Sequence, residues 1–305
     1  MLAPRRLAAR AAAMRMSDLL GEKVGQTVGY RVRMDSRVSP ATRIEVVTEG
    51  VLTRMLQSDP SLKGIGLVIF DEFHERSLQA DLALALCLDV QGALREDLRL
   101  LVMSATLDGA AVARLLGDVP VLTSEGRSYP VETRYRPTRA QFAREPGAFC
   151  DEVAQAVRAA LQEQSGSLLV FLPGEAEIRR VERALRSAGL GAEVMLAPLY
   201  GQLTAPAQDS AIQPAPAGRR KVVLATAIAE TSLTIEGIRV VVDTGLMRVQ
   251  RFDPNSGLTR LVTLPVSQAA ADQRCGRAGR LQAGVCYRLW PQHQHLLPHT
   301  PPEIL

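Results

Sequence analysis

Apolar and polar positions along this chain alternate between short, largely apolar runs and longer stretches with apolar residues at helical spacing. Ile44-Glu45-Val46-Val47-Thr48, Leu67-Val68-Ile69-Phe70 and Leu100-Leu101-Val102-Met103 are runs of the first kind, with Val119–Leu122 a fourth. Continuous runs of this length predict strands buried on both faces, as in parallel sheets. Helices are predicted between them over 5–20, 50–57, near 78–90 and 110–117. From Gly126 to Arg144 the pattern loosens, with Pro130, Pro137 and scattered arginines, and a domain boundary is expected there. A second series follows: helix 149–164, strand 168–172, helix 175–188, and strands near 193–197, 221–225 and 239–243. A hairpin across 247–263, a helix over 268–280 and a strand over 285–289 close it. Strands alternating with helices predict an α/β protein of two parallel-sheet halves with right-handed connections.

Size agrees with two domains, because 305 residues exceed the usual single-domain length. Hydrophobic residues make up 47% and charged residues 22%, enough for two ordinary cores. Aromatics are only 4%, with one Trp, which argues against a platform of stacked aromatics. A net charge of +4 permits nucleic-acid binding without requiring it. Cys87, Cys150, Cys275 and Cys286 form no CxxC pair, so free thiols in a reducing cytoplasm are expected rather than disulfides or zinc. No apolar run approaches the length of a membrane span. Residues 1–16 carry four arginines and no acid, which reads as a helix with an arginine-rich face.

The candidate chemistry sits at strand ends, where open parallel sheets bind ligands. Asp71-Glu72-Phe73-His74-Glu75 directly follows an apolar run. One carboxylate there can hold Mg²⁺, directly or through water, and its neighbour can take a proton from an attacking water. A solvated acidic turn would also satisfy the pattern. Ser104-Ala105-Thr106 ends the next run, as catalytic linkage or as ordinary turn chemistry. Gln273-Arg274-Cys275-Gly276-Arg277-Ala278-Gly279-Arg280 places three arginines at spacings of three among glycines. Fixed guanidinium forks suit the charge of a transferring phosphoryl group. A merely solvated helix has no use for two interior glycines, each about 1 kcal/mol worse than Ala. The hydroxyl-rich stretch Ala225 to Ile235 suits phosphate and sugar contacts, or plain helix capping. Pro4-Arg5-Arg6 and Thr48-Glu49-Gly50 could each open a helix toward a phosphate backbone. Arg219-Arg220-Lys221 reads as solvated surface, and His293, His295 and His299 as a disordered tail.

Taken together and in order, these motifs resemble the superfamily 2 helicases of the DEAH/RHA type. Asp71-Glu72-Phe73-His74 matches the DExH box and Ser104-Ala105-Thr106 the SAT motif. Leu169 to Gly174, the stretch from Ala225 to Ile235 and Gln273 to Arg280 match the fourth, fifth and sixth motifs. Pro4-Arg5-Arg6 and Thr48-Glu49-Gly50 look like motifs Ia and Ib. The phrases DEFHERSL and RFDPNSGL look more like the bacterial HrpB branch than its relatives. The resemblance covers nearly the whole chain. It implies two RecA-like domains in tandem, over 1–130 and 131–290, with 291–305 opening a further region. ATP and Mg²⁺ would be the cofactors. Asp71 would hold the Mg²⁺, with Glu72 beside it activating water, and His74 would couple the site to the second domain. Gln273, Arg277 and Arg280 would reach the phosphates, with Ser104, Thr106, Thr226 and Asp243 near the nucleotide. A single strand of RNA or DNA would run over Pro4, Arg5, Arg6, Thr48, Glu49, Gly50, Thr231 and Ser232, on a cytoplasmic monomer.

One departure is large. The family's phosphate loop, GxxxxGK[ST], is missing, and no Gly-Lys dipeptide occurs anywhere. Gly21 to Thr27 has its glycines one residue too close and Gln26 where Lys is required. The loop precedes the PRR motif in the family, yet PRR begins here at residue 4. The first domain is therefore expected to be truncated at its N-terminus, and the sequence to be the middle of a longer helicase.

Overall fold

The computed structural model describes residues 1–105, 109–124, 126, 129–230, 235–253 and 256–298. The chain packs into two compact units, residues 1–125 and 126–300. Both are α/β units built on a six-stranded sheet. Among the described residues no helix is long and apolar enough to cross a membrane.

The first unit runs β1 (Leu2–Ala3), α1 (Arg6–Leu20), β2 (Val28–Val32), β3 (Asp35–Arg37), β4 (Ile44–Thr48) and α2 (Glu49–Ser58). It continues through β5 (Leu67–Phe70), α3 (Leu78–Ala93), β6 (Arg99–Val102) and α4 (Gly109–Leu115). The sheet order is β3-β2-β4-β1-β5-β6, parallel except for the β2–β3 pair. Leu2, Val47, Val68 and Phe70 on one face meet Leu52 and Leu56 of α2 and Ala83, Leu84 and Cys87 of α3. On the other face Ala8, Ala9 and Ala13 of α1 cover Ala3, Val28, Tyr30 and Val46. Alanines let this helix approach its strands closely, and Gly21 closes it in the left-handed region at φ 68°. Ser77 opens α3 by accepting a hydrogen bond from the Ala80 N–H at 3.0 Å.

The second unit runs β7 (Val131–Tyr135), α5 (Pro146–Glu163), β8 (Ser167–Phe171), α6 (Glu175–Ser187), β9 (Val194–Leu199) and α7 (Ala205–Ile212). It ends with β10 (Arg220–Ala225), β11 (Ile238–Asp243), β12 (Leu246–Asp253), β13 (Leu258–Pro265), α8 (Gln268–Gly276) and β14 (Gly284–Arg288). Its sheet, wholly parallel, is ordered β7-β14-β11-β8-β10-β9, while β12 and β13 form a separate antiparallel pair. Strand alternation sorts the side chains. Leu168, Val170, Val240, Val242, Val285 and Tyr287 face the core made with α5 and α6. Leu169, Phe171, Val241, Asp243, Cys286 and Arg288, the residues between, take the opposite face.

Several expectations change. Val119–Leu122 is not a strand: Pro120 lacks the N–H a ladder needs, and Leu122 is 93% exposed. The loosened stretch after Gly126 contains β7, which pairs with β14 from Val131 onward. β2 and β3, whose polar residues interrupt any apolar run, are found only in the structure. Finally, β5 is not buried on both faces, since Leu67 is 45% exposed. Of the basic triplet Arg219-Arg220-Lys221, Arg220 donates to the carbonyls of Leu161 in the last turn of α5 and of Gln164 and Gly166 just beyond it. Lys221 does the same for Ser210 and Gln213 at the end of α7, so two of its three cations close helices.

Candidate functional site

In the first unit the neighbouring strands β4, β1, β5 and β6 are parallel, so their carboxyl ends lie along one edge. Thr48-Glu49-Gly50 follows β4, Pro4-Arg5-Arg6 follows β1, Asp71 to Glu75 follows β5, and Ser104-Ala105 follows β6. Four motifs far apart in sequence thus meet because the topology places their strands side by side.

The turn after β5 is tightly shaped. Glu72 sits in the left-handed region at φ 52°, which is unusual for a residue with a side chain. The Asp71 Oδ1 accepts the Glu72 N–H at 3.0 Å, and the Phe73 N–H donates to the Met103 carbonyl at 3.0 Å. Phe73 is buried and meets Phe70 edge-on at 6.1 Å, anchoring the turn to the core. His74 then lies between two motifs. Its Nδ1 accepts the Ala105 N–H at 3.3 Å, which assigns the ring proton to Nε2, and Nε2 stands 3.4 Å from the Glu72 Oε2. Burial and, after it, the neighbouring Glu72 push the Asp71 carboxyl above its ordinary range, a shift that a bound cation would reverse.

Two of the nucleic-acid candidates reach the segment from this turn to the start of α3. Arg5 pairs with Glu75 at 3.2 Å, and Glu49 accepts the Ser77 hydroxyl at 2.7 Å. Arg6 and Gly50 are exposed in the first turns of α1 and α2, and neither helix has a side-chain cap.

In the second unit the arginine motif divides its roles. Arg274 is buried, lies 4.8 Å over the Phe171 ring, and pairs with Glu230 and Asp243 at 2.9 Å each. Burial opposes its charge, yet the two carboxylates hold its pKa above the ordinary value. Asp243 also accepts the Gly245 N–H at 2.9 Å and is fully buried. Arg277 is buried too and donates to the Glu230 carbonyl through Nε at 2.9 Å and through a second nitrogen. Gln273 is half-buried and Arg280 is exposed. The two glycines differ. A Cβ at Gly279 would run into the Tyr129 carbonyl and Val131, whereas one at Gly276 would meet nothing. The expected helix over 268–280 accordingly breaks at Gly276 into a tighter turn over Arg277–Gly279.

Thr226 is half-buried at the end of β10, and Ser104 is exposed after β6. Thr106, Thr231 and Ser232 lie outside the described residues. Sequence reasoning missed Arg274 and Glu230 as a buried pair, because spacing alone does not distinguish an inward arginine from an outward one. It also missed the Ala105 N–H, which no side chain advertises. Among the described residues no group of three or more His, Cys, Asp or Glu could hold a metal ion. Asp71 and Glu72 fit Mg²⁺ only as the two-carboxylate part of a shell that water and phosphate complete.

Known proteins resemble this chain along its whole length. Residues 150–282 match the helicase conserved C-terminal domain. The whole chain is 59% identical over 307 residues to the Escherichia coli ATP-dependent RNA helicase HrpB. It is 38% identical over 304 residues to the Haemophilus influenzae ATP-dependent RNA helicase HrpA homolog. Two crystal structures of the E. coli protein, described as the DEAH/RHA helicase HrpB and the DExH-box NTPase HrpB, superpose over the full chain. They do so with TM-scores of 0.91 and 0.83, each at 58% identity. The chain spans 37% of the first relative's length and 23% of the second's, and 38% and 37% of the two crystallised chains.

Proposed function

On the premise of a chain that carries the conserved C-terminal domain of helicases and resembles the DEAH/RHA type throughout, we propose that it forms part of an ATP-dependent nucleic-acid helicase. Residues 1–130 act as a first RecA-like domain and 131–290 as a second. One observation carries the reading: the two nitrogens of His74 join Glu72 at the end of β5 to Ala105 after β6. A solvated acidic turn needs no such bridge. In this reading Glu72 takes the proton of the attacking water, and His74, by fixing Glu72, is its positioning residue. Asp71, with Glu72 beside it, would hold Mg²⁺, which supplies neutralisation of phosphate charge when bound. Arg277, Arg280 and Gln273 contact phosphate, with Ser104, Thr106 and Thr226 near the nucleotide. Asp243, being fully buried on Arg274, acts by positioning the arginine helix.

Single-stranded nucleic acid is the polymer partner, held through its backbone by Arg5, Arg6, the starts of α1 and α2, Thr231 and Ser232. The names of the relatives weigh toward RNA over DNA. Because Arg5 pairs with Glu75, one residue from His74, a strand docking on Arg5 bears directly on the carboxylate turn.

A second reading has its own support. Residues 1–305 contain no GxxxxGK[ST] loop and so do not supply a cradle for nucleotide phosphates. On that ground the chain as it stands binds nucleic acid without turnover. Nucleic-acid-stimulated ATP hydrolysis by the 305-residue protein decides the point. A rate indistinguishable from that of Glu72→Gln is expected, and turnover abolished by that substitution would overturn it. Binding to RNA and DNA strands of one sequence, followed as salt is raised, tests the partner. Affinity should fall with salt because phosphate contacts dominate, and salt-insensitive binding would count against the assignment.

A further inference from the structure

The four cysteines occupy two chemical situations. Cys87 and Cys150 lie in apolar cores, and burial pushes each thiol up to about 11. Cys275, in the last turn of α8, is partly exposed, whereas Cys286 in β14 is buried on the polar face of the second sheet. The sheet register explains how they meet. Thr133 of β7 is the direct parallel partner of Cys286, and its hydroxyl lies 3.6 Å from the Cys275 sulfur. Paired residues of parallel strands share a face, so Thr133 brings the two thiols to the same side of the sheet. Arg288, two residues along β14 on the same face, adds a positive charge nearby and is itself paired with Asp272 at 2.7 Å.

We propose that Cys275 is an oxidant-sensitive modification site, attacked by hydroperoxides and resolved by Cys286 as a disulfide. The chemistry balances within the pair and its oxidant. The Cys275 thiolate attacks one oxygen of the hydroperoxide, forming an S–O bond as the O–O bond breaks. The other oxygen leaves as an alcohol, or as water from hydrogen peroxide, after taking a proton. Cys286 then attacks the sulfenyl sulfur; an S–S bond forms, the S–O bond breaks, and the hydroxide leaves as water with the Cys286 proton. The two thiols lose two electrons and the peroxide gains them.

The direction of the reaction follows from the surroundings. The neighbouring Cys286 thiol and Thr133 hydroxyl, with the Arg288 charge, hold the Cys275 thiol down to about 6 against the effect of burial, while Cys286 is pushed up. The nucleophile is the thiolate, so Cys275 reacts first and Cys286 resolves. The negative end of the α8 dipole and Asp272 oppose this, but the groups beside the sulfur outweigh them. The same helix carries Gln273 and Arg274, so a bond to β14 ties the arginine motif to the sheet in a redox-dependent way.

The test uses the 305-residue protein, hydrogen peroxide, alkylation of remaining thiols, tryptic digestion and mass spectrometry. Arg277 and Arg280 lie between the two cysteines, so trypsin separates their peptides unless they are cross-linked. Expected are one cross-linked peptide pair lacking two hydrogens, reversible by a thiol reductant, and unoxidised Cys87 and Cys150. Cys286→Ser should halt at a Cys275 sulfenic acid that dimedone traps, and Cys275→Ser should give neither product. Without peroxide, Cys275 should react with iodoacetamide at least about tenfold faster than Cys87 or Cys150 at neutral pH, a readout that needs no variant. Equal reactivity of the cysteines, or peroxide oxidation of Cys275 with no link to Cys286, would overturn the proposal.

Discussion

β5 and β8 are similar apolar runs that end at the functional edge of a sheet, yet they live in different surroundings. Every residue of Ser167–Phe171 is buried, whereas Leu67 is 45% exposed and Ile69 is half-buried. β8 lies between β11 and β10, with α5 and α6 on one face and the Arg274 cluster on the other. β5 has α2 and α3 on one face only, because α1 covers β1, β2 and β4 but not the side of β5 and β6 that carries Leu67 and Leu101. The charges differ in the same sense. Arg274 is sealed inside with two carboxylates, while Arg5 meets Glu75 in partial contact with water. What separates the two units is the covering layer, and that layer sets how much each contact is worth.

The largest expected effect is that of Arg274→Ala, which leaves Glu230 and Asp243 buried without their cation. It should destabilise the second unit by about 3–5 kcal/mol. Trp290, the sole tryptophan, is buried in that unit, so its fluorescence in urea reports the loss there alone. A shift in midpoint worth under about 1 kcal/mol would break the contrast between sealed and wetted charges.

Next come the strands themselves. Leu168→Ala should remove about 2–5 kcal/mol because the site has no route to collapse, against under about 1 kcal/mol for the half-exposed Leu67→Ala. Amide hydrogen exchange across β5 and β8 measures both, and similar losses would show that the uncovered face of β5 is packed after all.

Asp71 gives a pH-dependent comparison. Its carboxyl is raised by burial and by Glu72, so the folded state holds its proton more tightly than the unfolded chain. Stability of the first unit is therefore full below the unfolded value of 3.8 and falls as pH rises through the raised value. Asp71→Asn should stabilise that unit at pH 7 and have no such effect at pH 3, and Mg²⁺ should narrow the difference at pH 7. Far-ultraviolet circular dichroism in urea at the two pH values checks it. The smallest expected effect on stability is Arg5→Ala, under about 1 kcal/mol for a partly exposed pair. The same substitution should lower the salt slope of nucleic-acid binding by about one, as loss of one phosphate contact does. An unchanged slope would remove Arg5 from the strand path.

Most strands and helices were legible in the residues, because a run such as Leu168–Leu172 or the alanine spacing of α1 leaves few alternatives. β2, β3 and β7 were not, since Arg31, Asp35, Glu132 and Arg134 interrupt their runs and only pairing makes them strands. The carboxylates and arginines were visible as residue types, and their ordered motifs carried the family. Which arginine points inward was not visible. Arg274 and Arg277 share a motif and both are buried, one on two carboxylates and the other on the Glu230 carbonyl, while Arg280 is exposed.

By itself, then, the sequence determined the α/β alternation, the two halves and the chemical types gathered at strand ends, because these follow from local periodicity and composition. Tertiary structure alone decided that β1 threads between β4 and β5, which brought Arg5 to Glu75, and that β6 pairs with β5, which brought His74 to Ala105. It also decided that Cys275 meets Cys286 through Thr133. Strand order is set by which hydrophobic faces can be buried together across the whole unit, and no window of neighbouring residues contains that information.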